Sequence, residues 1–179
     1  RAPRPRAGDT IRTERTPEAF AERARDVVAR GYTALKFDPF GAAYRVQDPV
    51  EEDLSIDIVA AVREAVGPSL DLMIEGHDRF SVSTALRIAD RLAPHRPAWF
   101  EEPVPHQNIG SMVEVARRSP VPVATGESFT SLQQFAELLR HEEAEARRVE
   151  HAGHADDALL REARELLHRP DHRVERVAD

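Results

Sequence analysis

The chain has 179 residues, a formal charge of −7 and no cysteine. This length is enough for one domain with its own core. The acidic balance offers no basic surface for nucleic acid, and the lack of cysteine excludes a disulfide framework and thiolate chemistry. No apolar run approaches the roughly 20 residues of a membrane-spanning helix. We therefore expect a cytoplasmic protein whose partners include neither nucleic acid nor a membrane.

Predicted helices and strands alternate along most of the chain. Residues 1–15 are irregular and rich in Arg and Pro, with at most a poor strand around Thr10–Arg12. Thr16 is placed to cap a first helix, which Gly31 ends. The later predicted helices are Glu52–Val66, Val82–Leu92, Ile109–Arg118 and Ser131–Leu139. The predicted strands between the helices are Tyr32–Phe37, Leu70–Glu75, Ala98–Glu101 and Val121–Thr125.

This alternation predicts the fold class. Short strands separated by helices of ten or more residues are typical of parallel sheets with right-handed crossovers. The pattern suits either a doubly wound sheet or a (β/α)8 barrel. No G-x-G-x-x-G loop follows the first strand, which disfavours a dinucleotide-binding fold. We predict an α/β protein, a partial (β/α)8 TIM-type barrel of about five βα units over residues 16–139.

The last 40 residues have a different composition. Residues 140–179 contain no Phe, Ile, Trp, Tyr or Met, yet they hold five of the eight histidines. Asp156 is placed to cap a helix that runs to about His168, with leucines along one stripe. We predict a charged, helical tail that does not match the barrel pattern. Its histidines fit a solvated surface better than a metal site.

Three predicted strands end in, or lead directly into, a glutamate: Glu75, Glu101 and Glu127. The intervals from 75 to 101 and from 101 to 127 are equal, and they approach the roughly 30 residues of one βα unit. Equivalent positions on neighbouring strands place the three carboxylates at the C-terminal mouth, where barrel enzymes hold their active sites. Three carboxylates so close need a cation to stay ionised, and hard oxygen ligands suit Mg²⁺. Any one of them alone would be read more simply as a surface charge.

Side-chain alternation adds three candidate catalytic residues to this mouth. Lys36 and Asp38 share one face of their strand, and His77 shares the face of Glu75. Lys36 is the single lysine among 25 Lys and Arg residues, and the pKa of a lysine shifts readily when it is buried. A barrel lyase that uses Lys36 as a Schiff base is an alternative. It would leave the three glutamates unexplained.

Four motifs, in order, resemble those of a known family. They are GYTALKFDPFG at 31–41, IEGH at 74–77, FEEPV at 100–104 and ATGE at 124–127. They resemble consecutive motifs of the mandelate racemase and muconate lactonizing enzyme branch of the enolase superfamily. The resemblance implies that Glu75, Glu101 and Glu127 bind Mg²⁺. It also implies that Glu102 makes a structural hydrogen bond.

The resemblance further implies a lyase. Lys36 matches the first lysine of the family's Lys-x-Lys pair, and Asp38 replaces the second, which disfavours a racemase that uses that lysine as its base. His77 matches the histidine that protonates the departing hydroxyl in acid-sugar dehydratases. Such a hydro-lyase removes the proton α to the carboxylate of a sugar acid, its small-molecule substrate. It then eliminates water to give a 2-keto-3-deoxy acid.

Parts of the family pattern have no match in these residues. The N-terminal capping domain is not matched, and neither are the last barrel strands, which supply a His–Asp pair that takes the α-proton. The alternative function is therefore a non-catalytic, truncated remnant that binds metal or a partner. An unclosed barrel has open sheet edges, which template pairing with another chain. We therefore expect a homo-oligomer.

Overall fold

The computed structural model describes residues 14–141 and 174–176. In chain order, its elements are α1 (Pro17–Ala29), β1 (Ala34–Phe37), α2 (Pro49–Val66), β2 (Asp71–Glu75), α3 (Val82–Leu92), β3 (Trp99–Glu101), α4 (Ile109–Arg118), β4 (Val123–Ala124), α5 (residues 132–141) and β5 (Val174–Arg176). A short 3-10 turn, Ala93–His95, follows α3. The strand predicted near residue 10 and the helix predicted from residue 156 lie outside the described residues. None of the helices in the described ranges is long and apolar enough to cross a membrane.

Side-chain caps set the first residues of the helices. Thr16 accepts a hydrogen bond from the backbone N–H of Ala19 at the start of α1, and Ser81 and Asn108 cap α3 and α4 in the same way. Asp48 caps α2, and Pro49 takes its first position. Proline is favoured there because the first N–H groups of a helix have no intrahelical partner. The predicted start of α2 at residue 52 was therefore three residues late.

The strands form one parallel sheet in the order β4-β3-β2-β1-β5. From β1 to β4, strands that are neighbours in the sheet are also successive in the chain, with a helix between each pair. A doubly wound sheet reverses its strand order partway, whereas a barrel wall continues in one direction. The order confirms the prediction of a partial barrel over a doubly wound sheet.

The strand β5 comes from the tail and was not predicted. It lies parallel to β1, with Val174 opposite Ala34 and Arg176 opposite Lys36. The sequence Val-Glu-Arg is short and has no apolar alternation, so local pattern gives no sign of a strand there. Its backbone nevertheless supplies a neighbour for the edge of β1. Within the described ranges, the two outer strands of the sheet are β4 and β5.

The two faces of the sheet differ sharply in chemistry. The outer face packs against the helices, and α1 packs on α2 while α3 packs on α4. Its buried side chains include Leu35, Phe37, Leu72, Ile74 and Phe100. On the other face, Lys36, Glu75 and Glu101 belong to the polar cluster described below, at the C-terminal ends of the same strands. The period of two along each strand therefore confirms the predicted assignment of faces.

Three phenylalanines fix the loops at the C-terminal edge of the sheet. Phe40 follows β1, Phe80 follows β2, and Phe100 lies in β3. All three are fully buried, with ring centroids 5.0, 5.8 and 6.4 Å apart. Such aromatic contacts contribute both buried area and preferred ring geometry. The loops after β1 and β2, which carry candidate site residues, are thus anchored to the core.

Candidate metal centre and active site

Three glutamates converge at the C-terminal edge of the sheet. Glu75 ends β2, Glu101 ends β3, and Glu127 lies three residues beyond β4. One carboxylate oxygen from each lies within 4.8 Å of those of the other two. Glu75 is buried, Glu101 is half-buried and Glu127 is exposed, so the cluster opens to solvent on the Glu127 side. The equal spacing in sequence therefore corresponds to proximity in space, while the role of these residues as metal ligands stays a prediction.

Lys36 lies between two of these glutamates. Its Nζ is 2.7 Å from Oε2 of Glu75 and 2.5 Å from Oε1 of Glu101. Burial lowers the pKa of Lys36, but its hydrogen bonds to Glu101 and Glu75 more than reverse this, so the pKa lies above its ordinary value. The side chain is therefore a protonated ammonium that donates to both carboxylates.

The donor set fits a divalent cation. Three carboxylates and one ammonium together carry an excess of negative charge, and the partly exposed edge leaves access for water or substrate oxygens. Hard oxygen ligands held by separate strands suit Mg²⁺, which takes a few carboxylates and keeps several waters.

Hydrogen bonds orient the carboxylates of Glu75 and Glu101. The backbone N–H of His77 donates to Oε1 of Glu75 at 3.0 Å, and the indole Nε1–H of Trp99 donates to Oε2 of Glu101 at 3.0 Å. Each carboxylate thus has one oxygen on Lys36 and the other on a fixed donor. Such partners set the direction of metal ligands. Trp99 and Glu101 lie on the same face of β3, and a hydrogen bond between two such side chains leaves no pattern in the sequence.

A fourth carboxylate holds the segment before Glu127 in place. Glu102 is 1 % exposed and accepts hydrogen bonds from Oγ1 of Thr125 at 2.9 Å and from the backbone N–H of Gly126 at 2.6 Å. Burial raises the pKa of the Glu102 carboxyl. These bonds tie β3 to the residues that precede Glu127. They are the structural hydrogen bonds that the motif at 100–104 implied for Glu102.

Gly76 allows the ends of β2 and β3 to approach closely. A Cβ atom at this position would lie 2.8 Å from the carbonyl oxygen of Glu102 and 2.9 Å from that of Glu101. The backbone N–H of Gly76 donates to the carbonyl of Glu101 at 2.8 Å. Any larger residue would force the two strand ends apart, and with them Glu75 and Glu101.

The second polar group at the mouth joins Asp38, His77 and Arg79. Nδ1 of His77 lies 2.7 Å from Oδ2 of Asp38, and Arg79 contacts both carboxylate oxygens. The sequence predicts Asp38 and His77 at the mouth but neither their contact nor the part played by Arg79. His77 and Asp78 have φ angles of 49° and 59°, so the strand alternation that predicted the face of His77 does not continue to Arg79.

A further contact joins the loops after β2 and β3. Both the backbone N–H and the ring Nδ1 of His106 contact the carboxylate of Asp78. The backbone N–H of Asp78 in turn donates to the carbonyl of Glu102 at 2.8 Å. The loop that contains His77 is therefore fixed at both ends, to the core through Phe80 and to β3 through Asp78.

Comparisons with known proteins agree with this architecture. The enolase C-terminal domain-like family model matches residues 19–152. The D-gluconate dehydratase of Thermoproteus tenax is 42 % identical over 125 residues, which are 70 % of this chain and 25 % of that protein. The D-xylonate dehydratase of Haloferax volcanii is 36 % identical over 124 residues, which are 64 % of this chain and 30 % of that protein.

A solved structure gives the same result. The mandelate racemase/muconate lactonizing enzyme-like protein from Roseovarius sp. TM1035 superposes with a TM-score of 0.68 at 40 % identity, covering 71 % of this chain and 33 % of that one. The chain thus spans between a quarter and a third of the length of these relatives. The family model matches most of the chain, and the solved structure shares its parallel barrel wall. The chain therefore belongs to the enolase superfamily, in the mandelate racemase and muconate lactonizing enzyme branch.

Proposed function

We propose that the chain is part of a Mg²⁺-dependent acid-sugar dehydratase, a hydro-lyase that converts an aldonate-type sugar acid into a 2-keto-3-deoxy acid. The observation that carries the proposal is the meeting of the three glutamates, Lys36 and the His77–Asp38 pair at one edge of the sheet. Relatives named as D-gluconate and D-xylonate dehydratases support the substrate class. The proposal includes a cytoplasmic location.

The chemistry requires stabilisation of negative charge. A proton α to a carboxylate is weakly acidic, because its loss creates a dianionic enediolate. Glu75, Glu101 and Glu127 would hold Mg²⁺, which when bound supplies Lewis-acid stabilisation of that charge. Lys36 adds an ammonium directly beside the carboxylates. A fixed positive charge at this position favours the transition state in which the negative charge develops.

His77 suits the role of general acid. Its side chain is 41 % exposed at the mouth, whereas the carboxylate that it contacts is 2 % exposed. As the C–O bond of the β-hydroxyl breaks, a proton from the imidazole would go to the departing oxygen and water would leave. We assign no acceptor for the α-proton among the described residues. The alternative function is a non-catalytic remnant that binds metal or a partner.

Metal binding is the first test. Isothermal titration calorimetry with Mg²⁺ should show binding to the parent chain. Glu101→Gln should weaken binding by more than about 10-fold, because even the outer partners of metal ligands are worth about 10–100-fold. Glu114→Gln makes the same change on the exposed surface of α4 and should bind like the parent. Absence of binding by the parent, or equal binding by Glu101→Gln, would contradict the metal assignment.

Turnover separates the two functions. The chain is incubated with Mg²⁺ and a panel of aldonates, and 2-keto-3-deoxy product is detected with semicarbazide. Product formation that is lost in His77→Asn supports the dehydratase. Metal binding without product from any aldonate supports the alternative function, a non-catalytic remnant that binds metal. Product that persists in His77→Asn would rule out the assigned general acid.

A further inference from the structure

We propose that Asp38 is a positioning residue for His77. It accepts the Nδ1–H of the imidazole and thereby fixes the neutral ring in the tautomer whose Nε2 carries no proton. The consequence for catalysis rests on the dehydratase proposal, since it concerns the proton that leaves from Nε2. The tautomer itself does not depend on that proposal.

The carboxylate of Asp38 is surrounded by donors. Oδ1 accepts from the backbone N–H of Phe40 at 2.8 Å and from Nη1 of Arg79 at 3.2 Å. Oδ2 contacts Nη2 of Arg79 and lies 2.7 Å from Nδ1 of His77. Arg79 is itself held by the carbonyl of Gly41, 2.6 Å from Nη1. The guanidinium compensates the charge of a carboxylate whose side chain is only 2 % exposed.

This arrangement decides the tautomer. An ionised carboxylate only accepts hydrogen bonds, so a contact of 2.7 Å requires the proton to lie on Nδ1. An unprotonated Nδ1 would instead direct its lone pair at Oδ2. Nη2 of Arg79 is also 3.3 Å from Nδ1 and would favour that unprotonated form. The contact with the carboxylate is the shorter by far, and it involves a full negative charge.

The loop that carries His77 has an unusual backbone conformation. His77 and Asp78 both have positive φ, at 49° and 59°, a region that residues other than glycine seldom adopt. Non-glycine residues in this region persist where surrounding contacts determine them, and they cluster at functional sites. Here those contacts are the anchor of Phe80 in the core and the pairing of Asp78 with His106.

The role in the reaction follows from the proton balance. When the protonated His77 gives its Nε2 proton to the departing hydroxyl, an O–H bond forms as the C–O bond breaks. The neutral ring that remains carries its proton on Nδ1, where Asp38 already binds it. The positioning residue thus stabilises both the charged ring before the transfer and the correct neutral tautomer after it.

The test is the tautomer of His77, read from long-range ¹H–¹⁵N correlations of the imidazole rings in the intact chain. Spectra are taken over a pH series, and the tautomer is read where the two ring nitrogens of His77 differ, since only a neutral ring has one protonated and one unprotonated nitrogen. The His77→Gln variant identifies the His77 signals by their loss. We expect Nδ1 to show the shift of a protonated, pyrrole-like nitrogen and Nε2 that of an unprotonated one. The opposite pattern in the parent chain would overturn the proposal without any variant.

The Asp38→Ala variant provides the second arm. It removes the acceptor that lies 2.7 Å from Nδ1 and leaves Nη2 of Arg79, a donor, 3.3 Å from the same nitrogen. A donor there favours an unprotonated Nδ1, so the pyrrole-like shift should move toward Nε2. Asp48→Ala, at the exposed cap of α2, is the matched control and should leave the tautomer unchanged. A folded Asp38→Ala chain that keeps Nδ1 protonated to the same extent as the parent would also overturn the proposal.

Discussion

The two sides of the mouth are built in different ways. On the β1–β2 side, Lys36 is 7 % and Glu75 3 % exposed, and both are held by hydrogen bonds to buried or backbone groups. On the β4 side, Glu127 is exposed, and the neighbouring α5 presents Leu132 and Phe135 with 88 % and 42 % of their surface exposed. Burial holds Lys36 and Glu75 in place. The segment before Glu127 is held by hydrogen bonds to β3 and the residue that follows it, such as that from the backbone N–H of Glu102 to the carbonyl of Ala124.

The position of each strand in the sheet explains this contrast. β2 lies between β1 and β3, so both of its edges are paired, while β4 is an outer strand within the described ranges. Glu102 compensates in part, because its carboxylate binds Thr125 and Gly126 just before Glu127. Carboxylates of one cluster can therefore differ in how firmly they are held. The following predictions test that difference.

The largest effect is expected from removing an aromatic anchor of the buried side. Phe40 is 1 % exposed and packs against Phe80 and Phe100. Phe40→Ala should lower the free energy of unfolding by about 3–5 kcal/mol, through lost burial and the cavity left behind. Phe135→Ala, on the exposed side, should lower it by about 1 kcal/mol or less, since the ring mainly contacts Phe129. Urea denaturation measures both, and equal losses would contradict the comparison.

A smaller effect is expected where the two sides meet, at Gly76. The added methyl of Gly76→Ala would lie 2.8 Å from the carbonyl oxygen of Glu102, so the strand ends must separate. We expect a loss of about 1–3 kcal/mol in unfolding free energy and weaker Mg²⁺ binding. Gly110→Ala in α4 meets only Oδ1 of Asn108 at 3.4 Å and should be neutral or stabilising. Unchanged Mg²⁺ affinity in Gly76→Ala would show that the distance between the ends of β2 and β3 does not determine the geometry of the carboxylate cluster.

The sequence predicts the strand residues of the mouth better than the loops after the strands and the edge of the sheet, for a physical reason. A period of two along parallel strands determines the faces of Lys36, Glu75 and Glu101, and packing keeps that period regular. The contact between Arg79 and Asp38 was not predicted, because positive φ angles at residues 77 and 78 interrupt the alternation. β5 was not predicted either, since three residues paired with a distant strand leave no local signal.

The pH dependence of the unfolding free energy should reveal a third, smaller contribution, from ion pairs between α2 and α3 on the outer face of the sheet. Glu52 of α2 is 4 % exposed and pairs with Arg87 and Arg91 of α3. Burial raises the pKa of its carboxyl, but the hydrogen bonds to Arg87 and Arg91 outweigh burial, and the pKa lies below its ordinary 4.5. A folded-state pKa below the unfolded one means that this stabilisation is present above pH 4.5 and is lost as the pH falls through the folded value.

Because both arginines are partly exposed, solvent screening limits this contribution to about 1 kcal/mol. Urea denaturation from pH 7 to pH 3 measures it. Glu52→Gln should flatten the acid side of the profile, while Glu51→Gln, which changes a carboxylate that is 55 % exposed, should leave its shape unchanged. Parallel profiles for the parent and Glu52→Gln would exclude the ion pair as the cause.

The smallest effect on folding, and a direct test of the exposed side, is expected at Leu132. Leu132, Phe135 and Leu139 form an exposed apolar stripe on α5, the helix that follows the outer strand β4 in the chain. An exposed apolar stripe and an open sheet edge favour pairing with a second copy, in line with the expected homo-oligomer.

Leu132→Glu should change the unfolding free energy by less than about 0.5 kcal/mol, because the side chain is almost fully exposed. Light scattering after size exclusion should nevertheless shift from a dimer or larger species toward the 20.1 kDa monomer. Val50→Glu, another exposed apolar site at the start of α2, should leave the assembly unchanged. A parent chain that is monomeric at every concentration would mean that the exposed side needs no second copy to cover it.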